Sequence, residues 1–350
     1  MRDVAVVAFA QSPSRPEVET TETQMLFPII TEAIEQSGIE RRDIGFWVSG
    51  SCDYLAGAPF AFVSNLEATG AWPPIPESHV EMDGAWALYE AYTRLQHGDV
   101  DTALVFCSGL SSRSDLRETL AVQLDPYYLM PLWPDHISLA ALQARAFLDH
   151  NGATERDMAE VAARSLRSAK DNPNAQVSGD HTAEELLGAD YLVEPLRPHD
   201  CPPVSDAAAA VVLAVGDRAR AVCSRPAWIR GIDTRTDPHS PGVRDLAVSP
   251  STRLAGEKAG VHSGPVEVAE LAAPFTHQEL IVREALGLGD DVEINPSGGA
   301  LAANPIMVSG LIRIGEAFRQ INERGRNRVI AHATSGPCLQ QNLVCVLEGE

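Results

Sequence analysis

The chain has 350 residues, 45% of them hydrophobic, and its 48 acidic against 27 basic side chains leave a formal net charge of −21. That length buries one large core or two fused domains. The acidic balance, with no Lys/Arg run, excludes nucleic-acid backbone recognition, and no stretch approaches the roughly 18 apolar residues of a membrane span.

Residues 4–10 (VAVVAFA) form a short β-rich run that leads into Pro and Glu, which reads as a buried strand and not as a secretory leader. Met25, Leu26, Ile29, Ile30, Ala33 and Ile34 recur at helical spacing with Gly38 as the stop, although Pro28 blurs where that helix begins. Residues 46–49 form a second strand, 84–97 (GAWALYEAYTRLQH) a helix, and 101–109 (DTALVFCSG) a strand ending in Ser-Gly. The same unit recurs near the C-terminus, as a helix over 305–321 and a strand over 328–336 that again ends in Ser-Gly. Each unit is followed by a further strand, from Ala207 and from Asn342, and AWIRGIDTRT at Ala227 opens the second half as VAVVAFA opens the first. This repetition predicts a duplicated α/β protein, with one half over 1–220 and the other over 221–350.

An insertion of about residues 110–200 interrupts the first half, and its helical pattern lies around 138–170. Long excursions of this kind build binding sites. Its aromatic and acidic start holds Tyr127, Tyr128, Trp133 and His136. As function, these side chains wall an apolar acyl pocket and supply a Tyr or His proton carrier; as structure, they are packing in a Pro-rich loop. Six scattered cysteines without C-x-x-C spacing argue against a zinc site or a disulfide framework and fit a reduced cytoplasmic setting. No metal or resident cofactor is expected.

Four stretches, residues 145–176, 194–214, 267–289 and 293–305, carry a resemblance to the sterol-carrier-protein type of thiolase, and the likeness covers essentially the whole chain. The resemblance implies a thiolase fold, a duplicated five-layered αβαβα arrangement with a loop-domain insertion. It also implies an acyl-CoA thioester ligand and a dimer, with itself or with a second thiolase-like subunit.

The family's catalytic positions are where this chain departs. The nucleophile motif Cys-x-x-Gly-x-x-Ala-Leu falls on residues 81–88, so Glu81 replaces the cysteine. Gly-His-Pro becomes Ala303-Asn304-Pro305, and Glu-Leu-His-Asp-x-Phe becomes residues 270–275 with Ala272 and Ala273 in place of the polar pair. Cys338 keeps the second cysteine, but Gln340 replaces its glycine. Acyl-cysteine Claisen chemistry needs a thiolate that this pattern does not supply.

What remains is a scaffold. Asn295, Gly298 and Gly299 are expected in a tight turn that lets backbone approach the thioester. Asn304 offers an NH2 donor to an enolate oxygen, or is a turn residue before proline. Cys338 is a proton donor or a small buried residue. Glu81 or Asp83 is a base at a helix N-terminus, or a simple charge–dipole contact.

Two functions follow. Relatives of the actinobacterial lipid-transfer-protein type resemble retro-aldolases acting on sterol side-chain 3-hydroxyacyl-CoA thioesters, often with a small OB-fold partner, and that reaction needs no nucleophile. The alternative is a catalytically silent subunit of a heteromeric thiolase or aldolase complex.

Overall fold

The computed structural model describes residues 1–57 and 59–350. Ten strands form one mixed sheet: β1 (Val4–Gln11), β2 (Phe46–Gly50), β3 (Glu77–Val80), β4 (Thr102–Leu110), β5 (Asp206–Val215), β6 (Ala227–Thr236), β7 (Val268–Leu271), β8 (Glu293–Ile294), β9 (Arg328–Ser335) and β10 (Gln341–Glu348). The order is β3-β2-β4-β5-β1 followed by β6-β10-β9-β7-β8, so the second five strands repeat the first five in mirrored sequence across a central seam. Strand directions repeat as well. β2 runs parallel to β3 and β4, as β7 does to β8 and β9, while β1–β5–β4 and β6–β10–β9 are antiparallel. Among the described residues, two residue pairs, Ala5–Trp228 and Val6–Ala227, pair β1 with β6 across the seam.

Helices complete five layers. Glu22–Ser37 and Phe62–Thr69 cover the outer face of the first half-sheet, and Pro250–Ala259 and Thr276–Leu286 cover that of the second. Between the half-sheets lie Gly84–His97 and Ser309–Asn322, which pack against each other. The first of these starts at Asp83, whose side chain caps it, and stops at Gly98 (φ 94°). Gly84 has to be glycine, because a Cβ there would sit 2.9 Å from the side chains of both Cys107 and Leu311.

The sequence pattern places a helix over 305–321, but the helix begins only at Ser309. Residues 304–308 instead form a pinned loop described below. The helical stretch of the insertion is two helices, His136–Asn151 and Glu155–Ser168, parted by Gly152 (φ 68°) and the Thr154 capping box. Pro28 lies within the Glu22–Ser37 helix, whose start is set by a capping box at Thr21. β3, β7 and β8 are additions to the strands read from pattern. Among the described residues, no helix is long and apolar enough to cross a membrane.

One buried group gives the core a pH signature. Asn342 Nδ2 donates to Ser251 Oγ and to the Leu339 carbonyl, so its Oδ1 accepts from His332 Nε2 at 2.9 Å. His332 Nδ1 has no partner, and burial pushes the ring's pKa down to about 4 against the lesser upward pull of Asn342. The unfolded chain therefore binds a proton that the folded chain refuses. Stability contributed by this residue is intact above pH about 6.5 and is withdrawn by about 1.4 kcal/mol per unit as pH falls toward the folded value. Denaturant midpoints measured from pH 7.5 to 5 should fall less steeply in His332→Gln than in the unchanged protein, and equal slopes would refute the assignment.

Candidate active site

The parallel strands β7 and β9 end on the same side, where ligands collect in α/β sheets. The loops that follow them, residues 272–275 and 336–340, face the loop 304–308 and the start of the insertion around a cavity of about 200 Å³. Its apolar wall includes Leu116, Leu120, Leu124, Leu139 and Phe275, and its polar groups include Asn304, Gln278, His136, Asp83 and Cys338.

Asn304 is held by both ends. Its backbone N–H donates to Ser205 Oγ (3.0 Å), and its Oδ1 accepts from Ser309 Oγ (2.8 Å). Nδ2 is the half of the amide with no protein partner among the described residues, so a donor on the cavity wall is left to a ligand. The loop around it is clamped at further points. Ile306 N–H donates to Ser111 Oγ (3.1 Å), and the Met307 carbonyl accepts from Gly84 N–H (2.9 Å) and the Cys107 thiol (2.6 Å). Gly109 makes the approach possible, since a Cβ there would lie 2.2 Å from the Ile306 oxygen.

His136 opens the helix His136–Asn151. Its Nδ1 is buried without a partner, and burial lowers the ring's pKa; Asp135 pulls it up and Arg117 pushes it further down. The ring therefore lines the cavity as a neutral imidazole at pH 7, able to take a proton.

Asp83 also lines the cavity, but its carboxylate is committed. Oδ1 accepts from Ala85 N–H (2.8 Å) and Leu311 N–H (3.1 Å), and Oδ2 accepts from Gly310 N–H (3.0 Å). One side chain thus caps both central helices, whose positive ends converge on it. Burial raises its pKa and the three backbone donors oppose that rise. The geometry is that of a structural cap and not of a base.

Cys338 is buried, with φ 55°, and its thiol donates weakly to the Leu139 carbonyl (3.5 Å). Burial pushes it up to about 11, with Arg244 pulling the other way, so the thiol stays protonated. The loop is fixed from behind, as Arg244 donates to the carbonyls of Pro337 (2.8 Å) and Cys338 (3.1 Å).

Other candidates lie elsewhere. Glu81 stands outside the cavity, with its carboxylate accepting from Asp53 N–H (2.5 Å) and 3.5 Å from His79 Nε2; the helix cap is Asp83 instead. Tyr127 and Tyr128 do not wall the pocket, because they are 83% and 77% exposed in the loop before Trp133. Asn295, Gly298 and Gly299 do form a left-handed turn (φ 50°, 96° and 64°), but it serves packing. A Cβ on Gly298 would meet Ala169 at 2.7 Å, while Asn295 bridges Leu271 N–H and Glu279. Among the described residues, no three His, Cys, Asp or Glu side chains gather as a metal would need.

Gln278 escaped the sequence reading. It lines the cavity, its Nε2 donates to Gln143 Oε1 (2.9 Å), and its own buried Oε1 has no partner. Gln143 donates in turn to the Cys338 carbonyl (3.3 Å). The only sequence signal is its place three residues beyond Phe275.

No family model matches the chain. An acetyl-CoA acetyltransferase of Methanothermobacter thermautotrophicus is 26% identical over 367 residues, covering 96% of this chain and 95% of that protein. The 17-hydroxy-3-oxo-4-pregnene-20-carboxyl-CoA lyase of Mycobacterium tuberculosis is 28% identical over 228 residues, covering 56% of this chain and 58% of the lyase. Among solved structures, the Ltp2-ChsH2(DUF35) aldolase superposes with a TM-score of 0.81 at 22% identity, over 99% of this chain and 97% of that one. At that identity the superposition speaks for the fold, which is the thiolase fold.

Proposed function

The chain belongs to the thiolase superfamily, and from that premise we propose that it binds a CoA thioester and cleaves a 3-hydroxyacyl-CoA by a retro-aldol reaction, as part of a complex. The observation that carries this reading is the polar content of the cavity. A free amide donor, Asn304 Nδ2, and a neutral imidazole, His136, share it, while the side chain at the nucleophile position, Glu81, lies outside it.

In the reaction His136 removes the proton of the 3-hydroxyl. The oxygen's electron pair becomes the carbonyl bond of the departing ketone or aldehyde, and the C2–C3 bond breaks. Its electrons enter the thioester as an enolate, whose oxygen Asn304 Nδ2 stabilises. Protonation of C2, by the imidazolium or by water, releases the shortened acyl-CoA. Asp83 is left out because backbone donors already occupy its oxygens. No bond to the protein forms. A sterol side-chain thioester is one member of this substrate class, supported by the name of the mycobacterial lyase. The second component in the name of the aldolase neighbour, ChsH2(DUF35), supports a second subunit in the complex.

The absence of covalent chemistry is testable. Incubation with acetyl-CoA or a 3-ketoacyl-CoA should leave every cysteine unmodified by intact mass, and Glu81→Cys should not restore thiolysis, since Asn304 cannot act as a base. An acyl adduct would overturn the reading. The decisive experiment purifies the protein with and without its genomic neighbours and follows 3-hydroxyacyl-CoA cleavage by mass spectrometry.

A second reading, a silent subunit in a heteromer, draws on Ala272 and Ala273, both buried and apolar where the family carries polar groups. Under it, cleavage by the complex would persist when Asn304 is truncated.

A further inference from the structure

His136 stands between two hollows. Beside the cavity that holds Asn304 lies a second, more open cleft, walled by the start of the insertion, by Ile137 and by Cys201. Leu116, His136, Pro202 and Val204 belong to both walls, whereas Asn304 belongs to the first and not to the second. The polar groups of the second wall are largely spent inside the protein. Ser111 Oγ accepts from Ile306 N–H (3.1 Å), Ser112 Oγ donates to Asp206 (2.6 Å), Asp115 caps the helix Leu116–Val122, and Arg117 is paired with Asp135 (3.1 Å). They leave an apolar lining of Leu116, Ile137, Pro202 and Val204, the last of them 46% exposed, together with the Ser114 hydroxyl, which has no partner among the described residues. A mostly apolar wall with a few unpaired polar groups is the make-up of a small-molecule site.

A 3-hydroxyacyl thioester runs from CoA through C1, C2 and C3 to whatever C3 carries. With its C1 oxygen at Asn304 and its 3-hydroxyl at His136, the CoA end lies on the Asn304 side and the substituent of C3 continues past His136. The hollow that His136 borders and Asn304 does not is the second cleft. We propose that this cleft receives the part of the acyl group beyond C3, the half that leaves as a ketone or aldehyde. This rests on the retro-aldol reading of the site. The lining suits a fragment with an apolar body, to which the Ser114 hydroxyl adds a single hydrogen bond. The two products then part on either side of His136, the acyl-CoA toward Asn304 and the carbonyl fragment toward Ser114 and Cys201.

The test takes the protein with its genomic neighbours and compares two substrates that release the same acetyl-CoA, 3-hydroxybutyryl-CoA and 3-cyclohexyl-3-hydroxypropanoyl-CoA. Burial is worth about fourfold per methylene, so kcat/KM should favour the cyclohexyl substrate by about tenfold or more. Ser114→Phe and Cys201→Phe each fill the second cleft from a residue that the first cavity lacks. Both should cut that preference by about tenfold, with melting temperature as the control on folding. Acetyl-CoA, which ends before C3, should lose far less affinity. No preference in the unchanged complex, or a preference that both folded variants keep, overturns the proposal. So does a loss of acetyl-CoA affinity as large as the loss of preference, which would put the CoA end in the cleft. If neither substrate is cleaved, the retro-aldol reading fails on its own, and the preference is read from the dissociation constants of the two thioesters. A preference that the variants abolish then keeps the acyl tail in the second cleft, and one that they leave intact ends the proposal.

Discussion

Truncating Asn304 to alanine should slow 3-hydroxyacyl-CoA cleavage by about a hundred- to a thousand-fold, the loss typical of removing one oxyanion donor, about 2.7 to 4 kcal/mol. The donor is Nδ2, the amide atom left free once Ser309 Oγ has satisfied Oδ1. The folded state should lose far less, about 1 kcal/mol for the single Ser309 bond, because the backbone bond from Asn304 N–H to Ser205 survives the substitution. Melting temperature and complex stoichiometry therefore serve as controls on the same sample. Cys338→Ser should matter less, since serine keeps a donor of similar size. A rate within about twofold of the unchanged complex would place the chemistry in the partner and leave this chain a structural subunit.

Asp83→Ala should be strongly destabilising. It strips the acceptor from Ala85, Gly310 and Leu311 N–H groups at once, in a place with 4% exposure. A buried backbone donor without a partner costs about 1 to 3 kcal/mol, so with partial relaxation the sum should reach about 3 to 5 kcal/mol in denaturant titration. Asp83→Asn keeps one carbonyl oxygen but turns an NH2 toward one of the donors, and should lose about half as much. A loss below about 1 kcal/mol for the alanine variant would show that water replaces the carboxylate.

Much of the architecture was legible because periodicity and burial agree. The AWIRGIDTRT segment became β6 and GAWALYEAYTRLQH became a central helix with the bounds read from pattern. β3, at the sheet's edge and half-buried, and β8, two residues long, are too weakly patterned to read. The site was legible only in part. Asn304, Cys338 and Asp83, reached through motif position, and His136, reached through the aromatic and acidic start of the insertion, line one cavity. Glu81 did not join them, because motif position gives the place of a Cα while the Asp53 N–H determines where the carboxylate goes. Tyr127 and Tyr128 carry the composition of a pocket wall, yet nothing in a loop's composition says which side faces in.

The narrow seam between β1 and β6 has a consequence for cooperativity. Two residue pairs cannot weld ten strands together, so the joint must come from the interior. The Ser309–Asn322 helix packs on β7 and β9 of its own half but also on β1 and β5 of the other. There Phe9 fills the space over Gly315, where any Cβ would strike its ring at 2.2 Å, and the Arg319 guanidinium lies over the same ring, 4.7 Å from its centroid. A chain cut after residue 222 would leave Phe9 facing water and would orphan one oxygen of Asp83. The duplicated halves are therefore one folding unit in which the second half's innermost helix is part of the first half's core, and denaturation should show a single transition with protected amides released together.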